Sequence, residues 1–496
     1  MNRYRVVFLS FLLFFPLFVH AQTTDFSLLT IDRIFNSDEF SPKFVGGLRW
    51  MKSGDSYSKI ERSKTVEGGT DLVSYDAATN AQTVLLSAEK LIPKGETKPL
   101  PINGYEWSAD NKQMLIYTNS KKVWRLNTRG DYWVLDLASG NLKKLGGDAK
   151  PSTLMFAKFS PDGTKVGYVR ENNIYVENIA DGKITALTTN GSRTLINGTS
   201  DWVNEEEFFL RDCWRWSPDS KSIAYWQFDA SGIKDFLLIN NTDDIYPTIT
   251  QIPYPKAGTT NAAVRIGVVM ASGGETKWIN TPGDPRQNYI AMMDWTDNSN
   301  ELILQHLNRL QNNLQLMVAD ARSGNVKTIL NEKEETWTEV FLQKLRWLNN
   351  GKDFLWMSER DGWQKLYTVS RDGTNVKLMT KGDFDVVSYL GVDEKNGFVY
   401  YIASPENATQ RYLYRSKLDG SGTAEKVTPE NQKGWHNYTI SPNGAWAFHN
   451  YSAFTTAPKF EIVNLTNKSV RSMEENAELQ AKIDGVKKGP QEFFKI

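Results

Sequence analysis

The sequence predicts an all-β fold, an eight-bladed β-propeller, on three observations. One short unit recurs eight times along the 496 residues, and each copy is followed by a segment with the alternation of a β-hairpin. Tryptophan occurs 16 times, and its large ring suits the wedge between radially packed sheets.

The recurring unit is an aromatic or aliphatic residue, a polar turn rich in Asp, Asn, Gly and Ser, and an alternating apolar strand. It begins at Arg49 (RWMKSGDSYSKIE), Glu106 (EWSADNKQMLIYT), Lys158 (KFSPDGTKVGYVR) and Arg215 (RWSPDSKSIAYWQF). It returns at Asp294, Arg346, Gly391 and Thr439. The segments that follow, such as DYWVLDLASGNLKKL and QKLYTVSRDGTNVKLMT, carry period-two alternation on both arms of a turn centred on Gly or Asn. Copies start roughly 45 to 60 residues apart, the spacing of four-stranded blades, except that the unit at Arg215 runs on to about 80. A two-sheet sandwich would have no need of eight equivalent units. The domain is therefore read as residues 22–480, with an insertion at about 200–258 where the repeat is broken. Pro247, Pro253 and Pro255 in that insertion are expected to break any regular strand.

The first residues, MNRYRVVFLSFLLFFPLFVHAQ, place Arg3 and Arg5 before an apolar run and end in Val19-His20-Ala21. That pattern predicts a secretory signal over residues 1–21 and a secreted or periplasmic protein. The apolar run from Val6 to Val19 is shorter than the ~20 residues of a spanning helix, though an uncleaved leader would anchor the chain to a membrane. With 58 basic and 58 acidic side chains there is no global field to attract nucleic acid. The single cysteine, Cys213, leaves no internal disulfide and reads as a buried, inert thiol. His306, His436 and His449 each lie in or beside a repeat strand and read as structural. No metal-ligand spacing, phosphate-binding glycine loop or paired-cysteine motif is present, so no metal and no cofactor are expected.

The insertion opens on DWVNEEEF, residues 201–208, where three carboxylates crowd against apolar side chains. Alone, such a triplet reads as a solvated helix face with a hydrophobic anchor. Its position at the break in a repeat array marks it instead as a candidate site. The span NGTSDWVNEEEFFLRDCWRWSPDSKSIAYWQFD, with YPTITQIPYPKAGTTNAAVRIGVV downstream, resembles the N-terminal propeller of the dipeptidyl peptidase IV family of secreted serine exopeptidases. The likeness extends over nearly the whole chain, including FSPDGTKVGYVRENNIYV and SERDGWQKLYTV.

The resemblance implies substrate-binding roles for the second and third glutamates of the triplet, Glu206 and Glu207, which would hold the free amino terminus of a peptide. It implies that Arg125, in Lys122-Val-Trp-Arg, supports them, and that Glu205 faces elsewhere. A peptide amino group with a pKa of ~8 is mostly charged at neutral pH, so carboxylates can accept its protons in charge-assisted hydrogen bonds. Trp202, Val203, Phe208 and Phe209 are expected to be core that holds the acidic segment without touching substrate.

The family's chemistry resembles that of other Ser-Asp-His enzymes and sits on an α/β-hydrolase domain with a G-x-S-x-G elbow. This chain has no such elbow; Gly420-Ser421-Gly422 falls in a predicted hairpin turn. No catalytic residue is therefore assigned; the stretch EENAELQAKIDGVKKGPQEFFKI, from Glu474, begins as a short helix, and residues 481–496 read as the start of a linker toward a hydrolase domain absent from the chain. The likeness implies the gating propeller of a peptidase releasing Xaa-Pro or Xaa-Ala dipeptides, with peptides and the hydrolase domain as partners and a homodimer as the family's common assembly. The alternatives are the propeller of a tripeptidyl peptidase and a free-standing propeller that binds peptides or proteins without cleaving them.

Overall fold

The computed structural model describes residues 25–340, 345–490, 492 and 494; the expected leader, residues 1–21, lies outside them. Antiparallel sheet dominates, and the sheets follow the order of the repeats. Five are separate four-stranded sheets of consecutive strands: Arg49–Trp50 through Gln82–Leu86, Asn288–Trp295 through Val326–Lys333, Trp347–Leu348 through Val376–Leu378, Val386–Asp393 through Glu425–Lys426, and Trp435–Ile440 through Val470–Glu474. The units at Glu106 and Lys158 share one eight-stranded sheet, joined only where Gly130 bridges Leu154. The unit at Arg215 forms a five-stranded sheet that also takes in Leu195–Asn197.

All eight expected hairpins form. Their registers keep one residue parity facing a neighbouring sheet, which is what the alternation encodes. The core is accordingly divided into layers between successive sheets. Leu72 and Leu86 of the first sheet meet Met114, Ile116 and Leu135 of the second unit, and Tyr400, Ile402 and Leu413 meet Tyr438 and Ala447 of the last sheet. Trp214, Trp226 and Trp356 are fully buried, and the Trp226 indole donates to the Ile290 carbonyl at 2.9 Å. The Cys213 thiol is buried, which pushes its pKa up.

The last sheet also packs on the first. Trp50 stacks on Phe448 at 4.1 Å and donates to the Thr439 carbonyl at 2.9 Å. Tyr57 meets Phe448 edge-on at 5.2 Å, and Asn443 Nδ2 donates to Asp55 Oδ1 at 2.9 Å.

The insertion differs from its expected form. Strands Trp214–Trp216 and Ser222–Asp229 belong to the sheet, so the excursion falls into two pieces: a helix, Trp202–Phe208, before them and a hairpin after them. The hairpin pairs Asp235–Asn240 with Thr248–Pro253 in unbroken register, so the prolines do not break it. Pro247 and Pro255 lie outside the paired strands, and Pro253 ends one, positions where a missing N–H costs the ladder little. The C-terminal helix, Ala477–Asp484, is present where the sequence places it.

Candidate functional site

Asp201 starts the acidic helix: its Oδ1 accepts from the Asn204 backbone N–H at 3.0 Å and from Asn204 Nδ2 at 2.8 Å. Burial pushes the Asp201 carboxyl above its ordinary range, with the Asn204 bonds opposing. The helix stops at Phe209, whose φ of 52° is left-handed, and the Leu210 N–H turns back to the Asn204 carbonyl.

Successive helical residues are turned by about 100°, so three adjacent glutamates cannot face one direction. Glu205 turns inward, where Arg211 Nη1 donates to it at 2.7 Å. Glu206 turns to Arg125, whose Nη2 donates to Glu206 Oε1 at 2.6 Å. Glu207 is exposed and takes no part in either pair. The structure thus joins Arg125 to Glu206 and leaves the Glu207 carboxylate facing solvent.

Arg125 arrives on a hairpin of two long strands, Gln113–Val123 and Leu126–Asp136, whose register leaves Trp124 and Arg125 as a two-residue turn. Trp124 adopts a φ of 54° there. The register shifts between Thr118 and Lys122, and bulges of this kind bend and twist a hairpin. Gly130 makes this packing feasible, because a Cβ at that position would lie 2.3 Å from Tyr117 Cε2. The Tyr117 hydroxyl lies 2.8 Å from both the Asn127 and the Arg129 carbonyl and shares its one proton between them, pinning the base of the turn.

Trp124, Arg125, Trp202, Glu205, Glu206 and Phe209 all border a cleft of about 350 Å³. Phe208 is core, at 5.2 Å from Tyr289. Phe209 and Trp202 are not. Phe209 is 80% exposed because the left-handed cap turns its side chain outward, and Trp202 lies at the rim against Tyr254 at 4.5 Å. Tyr254, from the YPKAG stretch, also meets Phe236 of the insertion hairpin at 5.6 Å, so an aromatic chain ties helix to hairpin.

Arg211 was not among the residues singled out from sequence. It lies beyond the helix, and its partners Glu205 and Thr128, the latter 83 residues away, meet only in the fold. Burial pushes the Glu205 carboxyl up, with Arg211 opposing, and burial lowers the Arg211 guanidinium, with Glu205 opposing. The histidines occupy sheet interiors: His436 Nδ1 meets His449 Nε2 at 2.8 Å, and His449 Nδ1 meets Glu461 at 2.9 Å. His306 is buried.

The family profile described as "Dipeptidyl peptidase IV (DPP IV) N-terminal region" matches residues 108–458. The chain is similar to dipeptidyl peptidase 4 of Trichophyton rubrum, 27% identical over 485 residues that make up 95% of this chain and 60% of that protein. It is also 27% identical to dipeptidyl aminopeptidase B of Saccharomyces cerevisiae, over 92% of this chain and 58% of the relative. Among solved structures, Porphyromonas gingivalis dipeptidyl peptidase 4 superposes with a TM-score of 0.84 at 27% identity, over 94% of this chain and 65% of that one. A putative dipeptidyl aminopeptidase IV from Bacteroides ovatus, 20% identical with a TM-score of 0.68 over 88% of this chain and 60% of that one, shares the fold. The chain spans 60% of the length of the first of these curated relatives.

Proposed function

Because the chain belongs to the dipeptidyl peptidase IV family and corresponds to its N-terminal region, we propose that it is the substrate-gating propeller of a secreted or periplasmic serine peptidase, and that it binds the free amino terminus of peptide substrates. The enzyme of which this region is part would release Xaa-Pro or Xaa-Ala dipeptides, with its nucleophile on the α/β-hydrolase domain.

The observation that carries this reading is the Arg125–Glu206 pair at a cleft between two elements that depart from the blade repeat. Its guanidinium is 73% exposed and can share Glu206 with an arriving ammonium. Glu207, adjacent and uncommitted, supplies a second carboxylate, and a cation between two acids lets both stay ionised. A clamp on the first residue fixes the distance to the bond that is cut, so the number of residues released follows from geometry. The packing of the first sheet on the last supports a closed ring of eight blades, which would hold clamp and catalytic domain in fixed relation.

Titration of the chain with a free-amino Ala-Pro peptide and with its N-acetylated counterpart tests the reading. The acetyl group removes the charge and leaves the rest of the ligand intact. Free-amino binding is expected to be stronger by at least about thirtyfold, the equivalent of losing one buried charged partner. Equal affinities would refute the clamp.

A further inference from the structure

Arg211 and Glu205 form an ion pair whose side chains are only 12% and 15% exposed, bordering the same cleft as the Arg125–Glu206 pair. A buried ion pair is weak evidence of a stabilising role. Taking two charges out of water is costly, and the Arg211 Nε finds no acceptor among the described residues, so the guanidinium is buried without full compensation. Its second contact, from Nη2 to Thr128 Oγ1 at 3.4 Å, reaches the strand that begins just after Arg125. Arg211 therefore touches both elements that assemble the cleft.

Arg125 borders the same cleft as Glu205 and bonds its neighbour Glu206, and like Arg211 it favours the ionised form of Glu205. Two carboxylates thus compete for one exposed guanidinium unless the first already has a partner.

We infer that Arg211 is a positioning residue: by occupying Glu205 it reserves Arg125 for Glu206 and leaves Glu206 and Glu207 presented to the ligand. This rests on the amino-terminus clamp proposed above. Without Arg211, the buried Glu205 carboxylate draws Arg125 inward, and Glu206 loses its support. The charged groups that act on Glu205 are Arg211, Glu206 and Arg125, while Arg129 and the titratable Cys213 thiol act on Arg211 besides Glu205.

The test compares binding of a free-amino Ala-Pro peptide by the full chain and by Arg211→Met, Arg211→Lys and Glu205→Gln/Arg211→Met. Arg211→Met is expected to weaken binding at least tenfold at pH 7, with the loss shrinking as pH falls and Glu205, whose carboxyl burial pushes up, takes a proton and releases Arg125. Arg211→Lys, which keeps a cation on Glu205, is expected to stay within threefold of the parent. The double variant is expected to recover to within threefold, because no charge is left to attract Arg125. A residue that merely filled space would give a pH-independent loss and a double variant no better than the single one.

Parent-like binding by Arg211→Met, or a double variant as weak as Arg211→Met, overturns the inference. If Arg211→Met does not fold, the double variant is read against Arg211→Lys: comparable affinity supports the role and a tenfold deficit overturns it. Failure of the clamp itself would look different, since the parent chain would then bind the N-acetylated peptide as well as the free-amino one.

Discussion

Replacing Trp50 with alanine tests whether contact between the first and last sheets holds the domain together. The half-buried ring stacks on Phe448 at 4.1 Å and meets Tyr57 edge-on at 6.0 Å, and its indole N–H donates to the Thr439 carbonyl at 2.9 Å. Aromatic pairs contribute ~0.5 to 1.5 kcal/mol each beyond burial, and the hydrogen bond adds about 1 kcal/mol. The two ring pairs and the hydrogen bond alone put the cost of the substitution at ~2 to 4 kcal/mol, and the apolar area lost adds to it. Denaturant unfolding followed by tryptophan fluorescence and far-UV circular dichroism reads the change. Phe448→Ala should cost a similar amount, and the double variant should cost less than the sum, because each single change already breaks the stack. A Trp50→Ala chain within about 0.5 kcal/mol of the parent would show that this contact contributes nothing.

Other outcomes follow from the same geometry. Glu206→Gln should shift stability by less than ~1 kcal/mol, since its partner guanidinium is largely exposed, yet weaken free-amino peptide binding by ~2 to 5 kcal/mol in a calorimetric titration. Trp226→Ala, at a fully buried site that also satisfies the Ile290 carbonyl, should cost ~3 to 5 kcal/mol by denaturant titration. His436 carries a folded-state pKa lowered from 6.5 to about 4, first by burial and then by His449. A base depressed in the folded state contributes stability that is present above pH 6.5 and lost as pH falls through about 4, because the unfolded chain takes the proton first. Glu461, held below 4.5 chiefly by its bond to His449, adds acid sensitivity of the same sign at lower pH. His436→Phe should therefore flatten the decline of stability between pH 6.5 and 4, measured as denaturation midpoint against pH; an unchanged slope would assign the proton elsewhere.

Most of the sheet architecture was legible because alternation has a period of two residues and each unit repeats it locally. Tyr57, Val73 and Tyr75 could be placed in a core without knowing what they pack on. Proline was misleading at residues 247 to 255, because the sequence shows which residue lacks an N–H but not whether that position must donate. The acidic helix was legible as a candidate site, and the Arg125–Glu206 pair joins two residues named for it. Arg211 was not, since nothing local marks a side chain whose partners lie on either side of a cleft. Phe209 was misread because hydrophobicity predicts burial, whereas a left-handed helix cap turned the ring outward.

The hairpin that carries Arg125 has strands of 11 residues, against 6 for strands such as Lys165–Arg170 in the neighbouring unit. Its overhang acts as a boom whose reach is set by residue count. Each strand residue advances the tip by about 3.3 Å, so trimming two from both sides preserves which face is which and withdraws the guanidinium by roughly 6.6 Å. On the proposed clamp, insertions and deletions there would reset how far from its end a peptide is gripped while leaving the sheets untouched.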